Sequence, residues 1–340
     1  MTASTWLAFI ERDIYSTLGW VSFAIILLSM MGVVVIIARG LRASSVVMHA
    51  LDVNLDRWRT VTTPEIERRL RKKFMARALL GPFFVRSYGV RRKANISYGD
   101  AGKRNLLDVY HHHSYPPGAP ILIHLHGGGF VSGKKNRQSL PLLYRFASRG
   151  WVCISANYRL RPTAQFPDHL IDLKKVIAWV RKNGHEYNAN PSCILVAGNS
   201  AGGHLAAMAT LTPNDPAFQP GFESVDTSVT AAISLYGYYG ALNTREGLPS
   251  SPFACNVKEA PPFLIAHGDR DTIVSVEHAR SFVQHVRTSS SHPVVYVELP
   301  GAEHNFDLFH SIRNEAVIGG IEVFSDWVLA QGNHHDRRAE

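Results

Sequence analysis

The stretch CILVAGNSAGGHLAAM, residues 193–208, changes halfway from residues that favour a β-strand to residues that favour an α-helix. Ser200 lies at the change, inside the pattern Gly198-Asn199-Ser200-Ala201-Gly202. Small neighbours are needed where a strained turn holds a nucleophilic serine clear of the backbone, and G-x-S-x-G is the pattern of that turn. A Gly-rich turn that binds phosphate at a helix N-terminus fits the same residues. The chain must therefore contain a strand that leads through a tight turn into a helix, whichever chemistry the turn serves.

The chain after residue 93 alternates strand-like and helix-like segments in the same way. Strands are predicted at 95–98, 106–111, 121–126, 151–156, 193–197, 229–235, 263–267 and 294–299, and helices at 139–149, 168–182, 200–210, 276–287 and 314–329. Apolar strands that alternate with amphipathic helices indicate an α/β fold, here a mostly parallel eight-stranded sheet with helices on both faces. A chain of 340 residues with 46% hydrophobic content is long enough for one such domain with appendages.

A second Gly-rich segment precedes the serine, because the strand predicted at 121–126 leads into HGGGF, residues 126–130. Acyl transfer produces an oxyanion, and backbone N–H groups can reach it only where no Cβ intervenes. We expect the amides of Gly128, Gly129 and Ala201 to form an oxyanion hole, each contributing about 3 kcal/mol of transition-state stabilisation. Together, the two segments favour a nucleophilic serine over a phosphate-binding turn.

The base and the acid of a catalytic triad should follow Ser200 in the order Asp or Glu, then His. The segment FLIAHGDRDTIVS contains Asp269 and Asp271 just after a predicted strand, and VVYVELPGAEHNF contains His304 just after the next. His304 is the predicted base. Asp271 is the predicted acid, since the turn opened by Gly268 should leave Asp269 to cap the turn.

Two further histidines lie near these segments. His267 ends the strand before Asp271, and we expect it to be a packed structural residue. His204 lies inside the helix that Ser200 opens. We predict neither as the base, and the sequence predicts no metal site.

The N-terminal part of the chain contains 25 consecutive residues without a charge, Ile14–Ala38. At 1.5 Å per residue, a helix of this length crosses a bilayer of about 30 Å. A cleaved signal peptide needs a positive n-region and a shorter apolar core, whereas Glu11, Arg12 and Asp13 precede this stretch. The sequence therefore predicts one transmembrane helix, with a buried core helix as the alternative.

The excess of positive charge lies in one segment, because residues 39–93 hold 14 Lys and Arg against 4 Asp and Glu, which is +10, while the whole chain has a net charge of +9. So local an excess argues against a nucleic-acid-binding domain. The positive-inside rule places the C-terminal side of the apolar stretch in the cytoplasm. We therefore predict a single-pass membrane protein with a cytoplasmic catalytic domain.

Within the basic segment, Thr63 and Pro64 are helix start signals and Gly81 is a stop signal, which predicts a helix from Pro64 to Leu80. The helix has one narrow apolar stripe, and its other faces are basic. The stripe consists of Ile66, Leu70, Phe74 and Ala78, and the basic residues are Arg68, Arg69, Arg71, Lys72, Lys73 and Arg77. The helix could lie on an anionic lipid surface, could cover the catalytic domain, or could do both. The predicted organisation is an N-terminal segment 1–38 with the transmembrane helix, a basic helical linker and cap 39–93, and a catalytic domain 94–340.

The chain from Leu106 to Leu329 resembles the hormone-sensitive-lipase-like family of α/β-hydrolase carboxylesterases. The resemblance rests on residues 126–129, Tyr158-Arg159-Leu160, Phe166-Pro167, Asp172, residues 198–203, Asp271 and His304. It implies hydrolysis of carboxylic esters through an acyl-serine intermediate, without a cofactor, and a cap of N-terminal helices over the acyl pocket. The anchor is similar to that of arylacetamide-deacetylase-like esterases, although the charge bias here predicts the opposite orientation.

Two positions depart from the family pattern. Asn199 stands where the family commonly has Asp, and YRLRPT, residues 158–163, stands where the family has YRLAPE. Neither change removes a predicted catalytic group, but both lie near the site, so the family's substrate preference is not carried over.

The sequence therefore predicts a serine carboxylesterase or lipase that acts on a small-molecule or lipid ester. An amidase or formamidase with the same triad remains an alternative, since these motifs do not distinguish esters from amides. A non-catalytic hydrolase fold that serves as a membrane-tethered binding module is the alternative from another class.

Overall fold

The computed structural model describes residue 9 and residues 16–71, 81–114, 117–244 and 247–339. The helices are α1 Thr17–Leu41, α2 Ala43–Asn54, α3 Trp58–Val61, α4 Pro64–Arg71, α5 Leu140–Ser148, α6 Asp168–Asn183, α7 Ala201–Leu211, α8 Val276–Arg287 and α9 Ile312–Ala339. The strands are β1 Val90–Ser97, β2 Leu106–His112, β3 Ala119–Leu125, β4 Val152–Ala156, β5 Ala189–Asn199, β6 Ala231–Leu235, β7 Phe263–Gly268 and β8 Val294–Leu299. The charged flank 11–13 and the continuation of the basic helix over 72–80 lie outside the described residues.

The eight strands form one sheet in the order β1-β2-β4-β3-β5-β6-β7-β8. β2 runs antiparallel to both β1 and β4, and the pairs from β4 to β8 are parallel. The predicted mostly parallel, eight-stranded sheet is therefore confirmed. All six parallel strands end at one edge of the sheet, which we call the carboxyl edge.

Side chains of successive strand residues alternate between two buried faces. In β5, Leu195 and Ala197 join a core with α2, α5 and α9, whereas Ile194 and Val196 join a core with α6 and α7. A third buried cluster packs α8 against β7 through Phe263 and Phe282. Because both faces are covered, the parallel strands read as continuous apolar runs in the sequence.

The uncharged stretch forms α1, and its apolar side chains are exposed along the helix. By length and composition α1 can cross a membrane. So much contiguous apolar surface is unfavourable in water, which means that an apolar environment has to cover it.

α1 continues into α2 through Arg42 alone, whose own backbone is helical at φ −79° and ψ −14°. The two helices therefore form one continuous stretch from Thr17 to Asn54. α2 packs on β8 and α9, with Val47 against Gly320, where an added Cβ would lie 2.6 Å from Val47 Cγ1. The exposed apolar helix and the body of the chain thus share one continuous helical stretch.

The described part of the predicted cap lies against one face of the sheet and not over its carboxyl edge. Val47, Leu51, Trp58, Ile66 and Leu70 are buried and belong to the core that α9 and β8 form on one face of the sheet. Their apolar side chains are buried there against the apolar side chains of α9 and β8. The expectation of a cap therefore fails for α2 to α4, and for α4 the interpretation as a helix that covers the domain is favoured.

Candidate active site

Ser200 lies in the turn between β5 and α7, with φ 52° and ψ −114°. A left-handed φ is costly for a residue with a Cβ and persists only where the surroundings enforce it. The neighbouring glycines allow it: an added Cβ at Gly198 would meet the Gly202 carbonyl oxygen at 2.1 Å, and one at Gly202 would meet the Leu125 oxygen at 2.2 Å. The close packing of β5 against α7 thus holds Ser200 in a strained turn at the carboxyl edge of the sheet.

His304 and Asp271 form a hydrogen-bonded pair in the loops that follow β8 and β7. His304 Nδ1 lies 2.7 Å from Asp271 Oδ2, while Asp271 Oδ1 accepts the backbone N–H groups of Ile273 at 2.9 Å and Val274 at 2.8 Å. Burial raises the pKa of Asp271, but hydrogen bonds from His267, His304 and the Val274 amide outweigh burial and hold that pKa well below its usual range. An ionised Asp271 accepts the Nδ1 proton of His304, which leaves Nε2 of the neutral ring as the proton acceptor.

The other aspartate of this loop, Asp269, is turned away from the histidine. Its Oδ1 accepts the backbone N–H of Gly301 at 2.6 Å and so caps the turn after β8. His267 is buried, and its Nε2 lies 2.8 Å from the Val274 carbonyl and 3.2 Å from Asp271 Oδ2. His267 is packed as expected, and it also contacts the carboxylate of the pair, which the sequence did not indicate.

A cavity of about 450 Å³ brings the predicted site residues together. Ser200, Ala201, Gly128, Gly129 and His304 all line it, and the remaining lining residues are Phe130, Gln138, Arg161, Tyr238, Leu242, Ile273, Val274 and Asn305. Ala201 is the first residue of α7, where backbone N–H groups have no partner within the helix. The amides of Gly128 and Gly129 come from the loop after β3, in which both residues have positive φ.

Residues of the family motifs hold that loop in place. Tyr158 donates its hydroxyl to the His126 carbonyl at 2.9 Å and stacks on the His126 ring at 4.4 Å. The backbone N–H of Arg161 donates to the Phe130 carbonyl at 2.7 Å, and Arg161 is among the residues that line the cavity. The departure from YRLAPE therefore places an arginine at the cavity.

A buried polar network lies directly behind the serine. Asn199 donates from Nδ2 to Asp307 Oδ2 at 2.8 Å, and its Oδ1 lies 2.5 Å from His124 Nε2. Asp307 also accepts hydrogen bonds from the hydroxyls of Ser139 and Tyr236. All five side chains are buried. Burial lowers the pKa of His124, so its ring is neutral in the folded protein.

Tyr236 links this network to the predicted base. Its ring contacts the His304 ring with centroids 4.5 Å apart, while its hydroxyl bonds Asp307. Burial and the adjacent Asp307 carboxylate raise the pKa of Tyr236 well above its usual value, so the hydroxyl keeps the proton it donates. Sequence reasoning missed Asp307, Tyr236 and His124, and the only signal that pointed to them was the unusual Asn199.

Comparison with known proteins gives matches over the same part of the chain. Residues 107–249 match the family model described as BD-FAE. The chain is 39% identical to the probable carboxylic ester hydrolase LipM of Mycobacterium tuberculosis, over 69% of this chain and 61% of LipM. It is 38% identical to the esterase LipQ of the same organism, over 68% of this chain and 61% of LipQ. The chain thus spans less than two thirds of these relatives' length.

Among solved structures, esterase 2 of Thermogutta terrifontis with butyrate bound has a TM-score of 0.60 and 26% identity, over 72% of this chain and 95% of that one. The same esterase phosphorylated by paraoxon has a TM-score of 0.59 and 26% identity, over 70% of this chain and 92% of that one. By its sheet, its serine turn and these relatives, the body of the chain has the α/β-hydrolase fold and is similar to carboxylic ester hydrolases.

Proposed function

We propose that the protein is a membrane-anchored serine carboxylesterase that hydrolyses small-molecule or lipid esters through a Ser200-His304-Asp271 triad. The observation that carries the proposal is the convergence of a strained serine, a histidine paired with an ionised aspartate and two positive-φ glycines on one cavity. A non-catalytic binding module has no use for a strained serine beside an oriented base.

In the proposed reaction, His304 Nε2 accepts the Ser200 proton while Oγ attacks the ester carbonyl. The amides of Gly128, Gly129 and Ala201 stabilise the resulting oxyanion. His304 then returns the proton to the leaving alcohol. Water, deprotonated by the same histidine, then attacks the acyl-serine carbonyl, and the proton passes from His304 to Ser200 Oγ as the bond to the acyl group breaks and the carboxylic acid leaves. Asp271 holds the tautomer of His304 throughout.

The similar Thermogutta esterase supports this chemistry, since its phosphorylation by paraoxon is the reaction expected of an activated nucleophile. Its complex with butyrate supports a carboxylic acyl group as the part that the cavity binds. The exposed apolar surface of α1 supports membrane anchoring, with the basic residues after it on the cytoplasmic side.

The test is covalent labelling of the full-length protein with a fluorophosphonate probe, followed by turnover of 4-nitrophenyl butyrate. We expect labelling and turnover by the wild type, and Ser200→Ala should lose both while the protein keeps its fold, because the exchanged atom is a single hydroxyl oxygen. Absence of labelling in the wild type would favour the non-catalytic module. Faster turnover of the isosteric anilide than of the aryl ester would favour an amidase.

A further inference from the structure

We propose that the active-site cavity opens toward the bilayer to which α1 anchors the domain, and that the substrate is an ester dissolved in that membrane. The inference rests on the proposed function and adds to it the source of the substrate.

The end of α1 lies at the carboxyl edge, beside the loop that carries His304. Arg313 donates from Nη2 to the Ile36 carbonyl at 3.2 Å and from Nε to the Pro300 carbonyl at 3.0 Å, so one guanidinium links α1 to the turn after β8. Arg39 packs on the same turn, since a Cβ added to Gly301 would lie 2.9 Å from Arg39 Cδ. His304 follows Gly301 by three residues.

The direction of the shared helix shows on which side of the domain the apolar part lies. α2 leads from this turn along β8 to the opposite edge of the sheet, where Asn54 Oδ1 accepts from Arg287 Nη2 at 2.8 Å. Arg287 ends α8, which precedes the start of β8. Because α1 joins α2 through Arg42 alone and its residues before Arg39 are exposed or only partly buried, α1 extends away from the domain beyond the carboxyl edge. A bilayer around α1 would therefore face the edge at which the cavity opens.

Exposed apolar side chains stand on the loops of that edge. They are Val131 after β3, 60% exposed, Ile273 after β7, 68% exposed, and Phe309 after β8, 49% exposed. Phe309 packs edge-to-face with Phe83, which is also exposed, with ring centroids 4.9 Å apart. Three separate loops thus carry exposed apolar side chains on the side where α1 leaves the domain. Because these side chains lie on the side where the apolar helix α1 leaves the domain, the lipid interface is the partner that this surface contacts.

The charges at this edge complement the surface of an anionic leaflet. Arg270, beside the pair-forming Asp271, and Arg161, at the cavity, are exposed cations, and Arg39 lies at the level where α1 meets the domain. Each cation near an anionic surface contributes about 1 kcal/mol of attraction. An ester with an apolar acyl chain partitions into the leaflet, and it can then reach Ser200 without crossing water.

The test uses full-length protein in phosphatidylcholine vesicles and two esters with the same leaving group: 4-nitrophenyl acetate, which stays in water, and 4-nitrophenyl palmitate, which partitions into the bilayer. Val131→Asp and Phe309→Asp place a charge on the proposed contact surface. We expect each to lower palmitate turnover by about tenfold, because a charge opposes insertion at the interface, and to leave acetate turnover within about twofold. Neither residue lines the cavity.

The matched control is Val53→Asp, which changes a valine that is 68% exposed at the far end of α2. It should alter neither turnover. Equal losses on both esters, or no loss in either edge variant, would overturn the proposal, as would a wild type that hydrolyses only acetate. Inactivity of the wild type on both esters would instead contradict the proposed function.

A second measurement does not depend on activity. An environment-sensitive fluorophore on Val131→Cys should shift to shorter wavelength in vesicles and be quenched by brominated lipid, whereas the same label on Val53→Cys should show neither change. Equal signals at the two positions would overturn the orientation, even if the esterase is active.

Discussion

Among single residues, Asn199 departs from the family pattern, and its hydrogen-bond partners explain why an amide stands there. The carboxylate next to the serine turn belongs to Asp307, and Asn199 donates to it from Nδ2 at 2.8 Å. An aspartate at position 199 would bring two buried carboxylates together. The amide is therefore the residue that this network requires, because it donates to Asp307 from Nδ2 and accepts from His124 at Oδ1.

We predict that Asn199→Asp lowers the free energy of unfolding by about 3 kcal/mol, because the substitution replaces a buried donor with a second buried negative charge. Urea unfolding of the full-length protein in mild detergent measures the change. The matched control is the double variant Asn199→Asp with Asp307→Asn, which restores one carboxylate and one amide. If the double variant is no more stable than Asn199→Asp, the two positions do not act as a donor and acceptor pair.

The two aspartates after β7 give a second prediction at this scale. Asp271→Asn should lower kcat by about four orders of magnitude, because an amide at this position favours the wrong tautomer of His304. Asp269→Asn should retain most of the activity, since Asp269 only caps the turn at Gly301. Ester turnover of the two variants makes the comparison, and a larger loss from Asp269→Asn would assign the acid role to that residue.

Some residues of the site are predictable from sequence, and others are not. Ser200, His304 and Asp271 follow from local patterns, because a nucleophile turn and the ends of successive parallel strands leave a signature of small and polar residues. Asp307, Tyr236 and His124 leave no such signature. They meet because β3 and β6 flank β5, which ends at Asn199, and because Asp307 in the loop after β8 bonds both Asn199 and Tyr236. Buried polar residues from separate segments look like ordinary loop or strand residues in the sequence.

At the scale of elements, strand and helix bounds were largely predictable, and β8 and α8 have the predicted ends. The lateral position of α4 was not, since a narrow apolar stripe fits a lipid surface as well as a protein surface. The structure shows Ile66 and Leu70 buried, with Leu70 Cδ2 at 2.7 Å from a Cβ added to Gly319 of α9. The missing side chain at Gly319 provides the space that Leu70 fills.

We therefore predict that Leu70→Ala lowers the free energy of unfolding by about 3 kcal/mol, from lost burial and the cavity left behind. Arg68→Ala, on the exposed face of the same helix, should change it by no more than about 0.5 kcal/mol. Urea unfolding in detergent compares the two variants. Equal small effects would mean that α4 does not stabilise the domain and is available to lipid.

In the whole molecule, the distribution of charge along the sequence determines the membrane topology that we predict. The uncharged stretch followed by the basic segment should insert with the N-terminus outside and the catalytic domain in the cytoplasm. Protease added to intact cells should leave the domain uncut, and the same protease after permeabilisation should degrade it. Digestion from outside without permeabilisation would reverse the orientation.

The continuous helix from Thr17 to Asn54 leaves the domain little freedom to move away from α1, the proposed anchor. A domain on a flexible linker samples a volume of solution, whereas a domain held by a rigid membrane-spanning helix samples only a thin layer parallel to the membrane plane. For an enzyme held in that layer, the concentration that governs the rate is the mole fraction of ester among the lipids, and not its molarity in the suspension. Adding inert lipid at constant total ester should then slow the reaction by surface dilution, and diluting the vesicles with buffer should leave the turnover per enzyme unchanged.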